Sequence, residues 1–276
     1  MTEEKFRKIY NKLYKNNDNF IDLMENIIND LDKKDQKYTH NRKYSTRDYI
    51  KGIIEVISNN VSWRKYNGII NGRTLNNKHN YYVKIGVYDK LYRTNINRYI
   101  DNNNKKNIKV LSMDSTFINN KNGTEKLGRN IYYKNKKGIK VTSIVDKKGI
   151  PLNIHLSSGN KHDARIAPKI INKLEKNKSN TNKYLLADKA YDSIKIRNLI
   201  KIKNYKPIIA RRKYKNSKKR SLKRKYINLY RKRIIVENFF SWIKSYPKID
   251  KIYEKTLASY NGLLLLGISM LIYKRF

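Results

Sequence analysis

Residues 141–156 read VTSIVDKKGIPLNIHL, and the hairpin that they predict lies at the centre of the predicted fold. Two apolar runs, 141–145 (VTSIV) and 151–156 (PLNIHL), flank the polar tetrapeptide DKKG at 146–149. Short β-branched runs that a Gly-containing polar segment separates are typical of a β-hairpin. The stretch therefore predicts two antiparallel strands, around which the second part of the chain must be arranged.

Strands and helices alternate on both sides of this hairpin. Strands are predicted at 108–113 (IKVLSM), 184–187 (YLLA) and 207–210 (PIIA), and helices at 164–174, 194–200, 230–244 and 263–273. The order is β-β-β-α-β-α-β-α, in which three strands form an antiparallel meander and the later ones need parallel crossovers through helices. The interpretation is an α/β fold with an RNase H-like mixed five-stranded sheet that helices flank.

The first part of the chain has a different pattern. Apolar residues at three- and four-residue steps predict helices at 3–14, 19–31 and 47–57, with Ser45 or Thr46 as the N-cap of the third. The run DNNNKK at 101–106 is typical of a linker. We therefore expect a helical, helix-turn-helix-like DNA-binding region at 1–106 and a catalytic domain at 107–276. A plain helical bundle at 1–106 fits the pattern as well.

Charge indicates the kind of partner. The 276 residues hold 64 Lys+Arg and 22 Asp+Glu, a net charge of +42. Such a chain favours a polyanion, DNA or RNA, through phosphate neutralisation and counterion release. An acidic membrane surface is a weaker alternative, and AT-rich coding would raise Lys without removing Asp and Glu.

Cysteine is absent, which excludes disulfides, thiolate metal sites and Cys nucleophiles. The charged N-terminus is unlike a signal peptide, and the apolar run at 263–273 is shorter than the ~20 residues that a spanning helix needs. We expect an intracellular protein without a membrane partner, in the cytoplasm or nucleoid of a bacterium, or in the nucleus if the host is eukaryotic or viral.

Three carboxylates fall where the predicted sheet would gather them. Asp114 follows the first strand and Asp188 follows the fourth, and these strands are neighbours in the predicted sheet. Glu237 lies on the helix expected to pack over the same edge. Converging carboxylates repel unless a cation neutralises them, and Mg²⁺ (or Mn²⁺) prefers such oxygen ligands. Two ions would stabilise the attacking and leaving oxygens of phosphodiester transfer.

Each carboxylate also has a structural interpretation. Asp114 is followed by Ser and Thr in a pattern common in turns and caps, and Asp188 fits the cap of the next helix. The coincidence of all three in a chain poor in acids favours a site.

The segment 230–244, YRKRIIVENFFSWIK, places further polar residues beside Glu237. On one continuous helix, Tyr230, Arg233, Glu237 and Lys244 would fall within an arc of roughly 60°. Arg233 and Lys244 would hold phosphates, and Tyr230 would stack on a base or bind a phosphate. An ordinary solvated face with an ion pair has the same spacing.

These residues resemble a known family, the DDE transposases of bacterial insertion sequences. The family's Y-x2-R-x3-E-x6-K signature is complete at Tyr230, Arg233, Glu237 and Lys244, and its two aspartate motifs match Asp114 in MDST and Asp188 in ADKAYDS. SSGNKHDA at 157–164 is also similar, and the likeness covers about 110–272, with a weaker one at 47–66. The chain departs from the family at Ala190, where a Gly is usual.

The resemblance implies an enzyme that binds the terminal inverted repeats of its own mobile element. It would hydrolyse DNA there with Mg²⁺ or Mn²⁺, two ions in all, and join the 3′ ends to target DNA. Asp114, Asp188 and Glu237 would be the catalytic metal ligands. A synaptic homodimer on double-stranded DNA is the expected assembly.

The most basic segment follows the last predicted strand. Ten of the fifteen residues at 211–225 are basic, and we expect an arm that binds DNA. The residues assigned to it are Arg211, Arg212, Lys213, Lys218, Lys219 and Arg220. A solvated loop and a nuclear localisation signal are the alternatives. His162 and Lys189 are accessory candidates for contacts with substrate or metal, and for His162 a structural role is equally supported.

Other function classes remain open. A non-catalytic, domesticated derivative would keep the fold and bind DNA without cleaving it. Another RNase H-like nuclease, such as a resolvase, should lack the helix signature. A basic RNA-binding protein is the most distant alternative.

Overall fold

The computed structural model describes residues 18–32, 43–59, 61–102, 108–122, 127–178, 182–211, 222 and 224–275. Its helices are α1 Asp18–Asp32, α2 Thr46–Asn59, α3 Gly72–Lys84, α4 Val87–Asn102, α5 Asp163–Asn172, α6 Ile194–Ile202, α7 Ile227–Arg231, α8 Ile234–Lys244, α9 Pro247–Asp250 and α10 Leu257–Arg275. Its strands are β1 Val110–Asn120, β2 Gly128–Asn130, β3 Lys136–Asp146, β4 Pro151–Ser158, β5 Tyr184–Ala187, β6 Lys206–Ile209 and β7 Lys251–Ile252. The helix predicted at 3–14 lies outside the described residues.

The chain divides into two compact units. The first contains the described residues of Met1–Tyr99, Lys121–Glu125 and Trp242–Phe276, and the second those of Ile100–Asn120 and Lys126–Ser241. The C-terminal helices therefore pack with the N-terminal ones, although the sequence suggested one division near residue 106. The functional division at that point stays a prediction.

The helices of the first unit follow from apolar residues at helical spacing. α1 buries Phe20, Met24 and Ile28, which recur every four residues and share one face. α2 begins at a capping box, in which the Ser45 hydroxyl accepts from the Asp48 N–H at 3.1 Å and the Asp48 carboxylate accepts from the Ser45 N–H at 3.0 Å. The predicted N-cap at Ser45 is confirmed.

A buried polar network lies among the helices of this unit. Glu254 is 6% exposed and accepts hydrogen bonds from Trp63 Nε1 at 3.1 Å and Ser259 Oγ at 3.0 Å. Lys248, 4% exposed, pairs with it at 3.9 Å. Buried charges require such partners, so this pair holds α9 and the start of α10 in one arrangement.

His79 belongs to the same network. Its Nδ1 lies 2.8 Å from the Tyr88 hydroxyl and its Nε2 3.0 Å from Ser259 Oγ. Burial lowers the pKa of His79 to about 4, so the ring is neutral at physiological pH. No local pattern predicted a partner for His79, because Ser259 is 180 residues away in the sequence.

α10 is longer than the predicted 263–273. It has 19 residues and a mean hydropathy of 1.3, which is long and apolar enough to cross a membrane by length and composition alone. Within the structure, 67% of the apolar window is buried, which is the behaviour of a core helix. Gly262 allows the close approach of Val83 and Tyr88, since a Cβ there would lie 2.7 Å from a Val83 methyl group.

The second unit is built on a mixed sheet. β4, β3, β1, β5 and β6 lie side by side in that order, and β2 extends the β4 edge by pairing with the start of β3. β3 pairs antiparallel with β1 and β4, whereas β5 pairs parallel with β1 and β6. This is the RNase H-like mixed sheet that the sequence predicted.

The turn between β3 and β4 stabilises the hairpin at residues 141–156. The buried Asp146 carboxylate accepts from the N–H groups of Lys148 at 2.9 Å and Ile150 at 3.0 Å. Gly149 has a φ of 79°, a conformation that glycine adopts without strain. The predicted hairpin is confirmed, and its turn is stabilised by its own Asp side chain.

Candidate active site

Asp114 lies inside β1, at the level where β5 ends. Parallel pairing between the two strands stops at Met113 and Ala187, while antiparallel pairing with β3 continues through Asp114 and Ser143. The expectation that Asp114 follows the strand was therefore wrong. β3 pairs with β1 as far as Asn119, so β1 continues well beyond the short apolar run at 108–113.

Asp188 directly follows β5, as predicted. Its Oδ1 accepts from the Lys189 N–H at 2.5 Å, so it caps the short 3₁₀ turn Lys189–Tyr191. Because Met113 pairs with Ala187, Asp114 and Asp188 come next at the same level of two neighbouring strands. Ala190, the departure from the family pattern, lies in this 3₁₀ turn and has no positive φ, so its Cβ causes no strain.

Arg233 links the first and third carboxylates. Its Nη1 donates to Asp114 Oδ2 at 2.8 Å, and its Nη2 donates to Glu237 Oε1 at 2.5 Å. The Glu237 side chain is 50% exposed, whereas the Asp114 side chain is 23% exposed. One guanidinium group thus holds two residues that are 119 and 4 positions away from it in the sequence.

The segment that contains Arg233 is not one continuous helix. α7 ends at Arg231, and the next turns are held by i→i−3 bonds from Arg233 N to Tyr230 O and from Val236 N to Arg233 O. The prediction of one long helix through 230–244, and of a single arc for its polar residues, was therefore wrong. The break still leaves Tyr230 beside Arg233. Burial raises the pKa of Tyr230, and the charges of Asp188 and Asp114 add to this effect, whereas Arg233 opposes it.

The far side of α8 behaves as expected. Phe239 is 1% exposed and Ile243 is fully buried. Lys244 is the last residue of α8 and is half-buried. Burial lowers its pKa, and the nearby Asp250 opposes that effect.

Electrostatics at the site centre on Asp114. Burial raises its pKa to about 6, and Asp188 and Asp163 act in the same direction. The Ser115 N–H bond and Arg233 oppose the shift without cancelling it. Burial therefore favours the protonated form of Asp114 more strongly than Arg233 and the Ser115 N–H favour the carboxylate.

A hydroxyl network behind Asp114 was missed at the sequence level. Ser115 Oγ lies 2.8 Å from Thr142 Oγ1 and 2.8 Å from the hydroxyl of the fully buried Tyr191. The Ser115 N–H also donates to Asp114 Oδ1 at 2.8 Å. The network joins the residue after Asp114 to the turn after Asp188. Tyr191 in DKAYDS was the available signal, because an apolar ring with a polar tip inside a short turn needs a buried partner.

A fourth acid, Asp163, lies near this network, at the start of α5. Lys140 Nζ donates to Asp163 Oδ1 at 3.0 Å. The negative charge of Asp163 raises the pKa values of Asp114 and Tyr191. His162, the residue before it, is exposed and makes no side-chain capping bond. Lys189 is exposed at the tip of the turn that Asp188 caps.

The basic segment begins at the same edge of the sheet. Ile209 pairs with Ala187, and the exposed Arg211 follows two residues later. The other residues assigned to the arm lie outside the described residues; they are Arg212, Lys213, Lys218, Lys219 and Arg220.

The aspartates fit a divalent cation in their donor chemistry. They supply hard oxygen ligands on neighbouring strands. Glu237 is bound to Arg233 instead. Within the described ranges, no group of three or more His, Cys, Asp or Glu residues is placed to hold a metal ion.

The raised pKa predicts how stability depends on pH. Because the folded state binds the Asp114 proton more tightly than the unfolded state, folding loses stability as pH rises from about 4 to about 6. The Asp114→Asn variant has no carboxyl group at this position, so it does not lose stability in this way. We expect the free energy of unfolding of the variant, relative to that of the original protein, to increase by about 2–3 kcal/mol between pH 4 and pH 7.5. Urea unfolding at both pH values measures this, and parallel pH profiles would contradict it.

The fold and the site together define an RNase H-like protein with acidic residues at the edge shared by its central strands. The family model for the transposase DDE domain matches residues 105–272, more than half of the chain. Neither the comparison with curated proteins nor that with solved structures found a match. The chain belongs to the DDE transposase family, so its function is of the transposase type and its substrate is DNA.

Proposed function

We propose that this protein cleaves DNA at the terminal inverted repeats of its own mobile element and joins the 3′ ends to target DNA. The observation that carries the proposal is the Asp114–Arg233–Glu237 bridge at the level where Asp188 follows β5. Because Asp114 and Glu237 bind the same guanidinium group, their carboxylates lie close together. Water would attack the scissile phosphorus in the first step and release a 3′-hydroxyl, which would attack a target phosphodiester in the second.

Asp114, Asp188 and Glu237 would be the metal ligands and the catalytic residues. Bound Mg²⁺ or Mn²⁺, two ions in our proposal, would supply positive charge beside the attacking and leaving oxygens. Glu237 can join the aspartates only after Arg233 releases it. The half-exposed position of Glu237 supports such a movement, because an exposed ion pair contributes little stability.

Arg233 would exchange partners when DNA binds. A phosphate oxygen accepts the same paired N–H donors that Arg233 now offers to Asp114 and Glu237. The guanidinium group would thus partly offset the charge of Asp114 and Glu237 in the free protein and hold the DNA backbone in the complex. Tyr230, which lies beside it, and Lys244 would contact the same backbone.

DNA binding would also explain the positive charge outside the candidate active site. Arg211 begins the basic arm at the edge of the sheet that carries Asp188, and the arm would follow the DNA backbone by electrostatic attraction. The helical region at 1–106 would bind the inverted repeats, with a homodimer holding two ends together.

The proposal is tested with linear DNA that carries the inverted repeats flanking the gene. The protein with Mg²⁺ or Mn²⁺ should nick this DNA at the repeat ends, and a scrambled repeat is the control. Binding without nicking under all metal conditions would favour the alternative, a non-catalytic DNA-binding derivative. Arg233 Nη2 donates to Glu237 Oε1 in the free protein, and this contact favours the alternative because it occupies the carboxylate that a metal ion would need.

Tyr191 should act as a positioning residue for the aspartates. Tyr191→Phe removes only the hydroxyl that bonds Ser115, and loss of a partner behind metal ligands lowers metal affinity by about 10- to 100-fold. We expect the Mg²⁺ concentration for half-maximal nicking to rise by that factor. Tyr260→Phe is the matched control, since it removes one buried tyrosine hydrogen bond, 2.8 Å to Ile249 O, in the other unit. Equal Mg²⁺ dependence in both variants would contradict a positioning role.

A further inference from the structure

Two adjacent apolar side chains are almost fully exposed in the second unit. Ile131 is 83% and Tyr132 is 88% exposed. They lie in the 3₁₀ turn Ile131–Tyr133 between β2 and β3. We call residues 130–135 the knuckle. Large apolar residues exposed side by side indicate a surface that another molecule covers.

The base of the knuckle is well anchored. Asn130 is 5% exposed, and its side chain accepts from the Tyr132 N–H at 3.1 Å and donates to Gly159 O at 3.0 Å. The Tyr133 ring stacks on Phe117 with ring centroids 4.7 Å apart. The exposure of Ile131 and Tyr132 is therefore fixed by the surrounding structure.

The backbone adopts uncommon conformations to form this turn. Lys134 and Asn135 have φ values of 51° and 59°, in the left-handed region that non-glycine residues rarely occupy. Two successive residues of this kind reverse the chain after the exposed pair. Such a turn costs conformational energy and fits a surface with a binding role.

The charges around the knuckle indicate the class of partner. Residues 127–140 contain no acidic residue. Four exposed cations surround the apolar tip: Arg129, Lys134, Lys136 and Lys137. Aromatic and apolar groups within a cluster of cations suit a nucleic acid strand, which offers flat bases beside phosphates.

The knuckle also lies near the candidate active site along β1. Phe117, on which Tyr133 stacks, comes three residues after Asp114 in the same strand, about 10 Å away. Side chains alternate between the two faces of a strand, so Asp114 and Phe117 leave β1 on opposite faces of the sheet. The knuckle is therefore anchored to the strand that carries Asp114, on its other face.

We propose that Ile131 and Tyr132 form a DNA subsite of the second unit, where Tyr132 stacks on a base and Ile131 packs against a base or sugar. Arg129, Lys134, Lys136 and Lys137 contact the flanking phosphates. That this DNA is the end of the mobile element rests on the proposed function, whereas the affinity of the subsite for DNA does not.

Binding of fluorescent inverted-repeat DNA without metal ion tests the subsite independently of cleavage. Tyr132→Ala should weaken binding by about 5- to 100-fold, the effect of losing one base–aromatic stack, and should leave the salt dependence unchanged. Lys136→Ala should instead lower the slope of log affinity against log salt by about 1. Ile194→Ala is the control for Ile131→Ala, because Ile194 is 81% exposed in the same unit.

A second readout locates the contact. With 2-aminopurine placed at successive positions along the repeat end, the original protein should quench or shift the fluorescence of the probe at the base on which Tyr132 stacks, and Tyr132→Ala should remove the effect. Unchanged DNA affinity in the Tyr132→Ala and Ile131→Ala variants overturns the proposal. So does reduced self-association in sedimentation with unchanged DNA binding, which would make the knuckle a protein interface. If the variants bind weakly while the original protein binds but never nicks, the subsite stands and the proposed function fails.

Discussion

Glu237→Gln is expected to reduce metal-dependent nicking of inverted-repeat DNA by about 100- to 1,000-fold or more, while DNA affinity changes little. Loss of one group that stabilises charge in the transition state has an effect of at least this size. Gln keeps the length of the side chain and can still accept from Arg233, so the bridge to Asp114 persists. What it loses is the negative charge needed to hold a hard cation. Single-turnover nicking measures the effect.

The control for this experiment is Glu175→Gln. Glu175 is an exposed acid of the same unit, so the substitution makes the same chemical change at a site outside the proposed machinery. It should nick as the original protein does. Equal nicking by Glu237→Gln and Glu175→Gln would refute the assignment of Glu237.

The largest effect on stability is expected at Glu254. Glu254→Gln leaves the Lys248 ammonium buried without its counter-charge, and breaking a buried pair from one side costs about 3–5 kcal/mol. Gln retains an oxygen that can accept from Trp63 and Ser259, so the loss reports the missing charge. Urea unfolding should show a lower midpoint with an unchanged slope.

A double variant separates charge from packing. Lys248→Met combined with Glu254→Gln removes both charges, and replacement of a whole buried pair is often neutral. We therefore expect the double variant to recover most of the lost stability. A double variant as unstable as Glu254→Gln would show that the shape of the network, and not the unpaired charge, decides the cost.

The sequence predicted the sheet because local patterns carried its information. The β3–β4 hairpin had two apolar runs and a Gly-containing turn, and YLLA matched β5 residue for residue. Parallel neighbours β1 and β5 followed from the order of elements, and with them the common level of Asp114 and Asp188.

Other features depended on partners that are distant in the sequence. β1 continues past Met113 because β3 pairs with it as far as Asn119, and the short strand β2 forms by pairing with the start of β3. Helical spacing alone predicted one helix through Arg233, but the chain turns there, and Arg233 reaches Asp114. The Ser115–Tyr191 contact and the pair of Lys248 with Glu254 likewise join residues that no local pattern associates.

Metal binding by the protein–DNA complex tests whether Asp114, Asp188 and Glu237 form one metal centre. Free Mn²⁺ can be followed by its EPR signal during titration of the complex, with the DNA alone as the reference. We expect the complex to bind more Mn²⁺ than the DNA alone, and Asp114→Asn, Asp188→Asn and Glu237→Gln each to weaken this binding by at least about 10-fold. Unchanged Mn²⁺ binding in all three variants would contradict the assignment of these carboxylates as one metal centre.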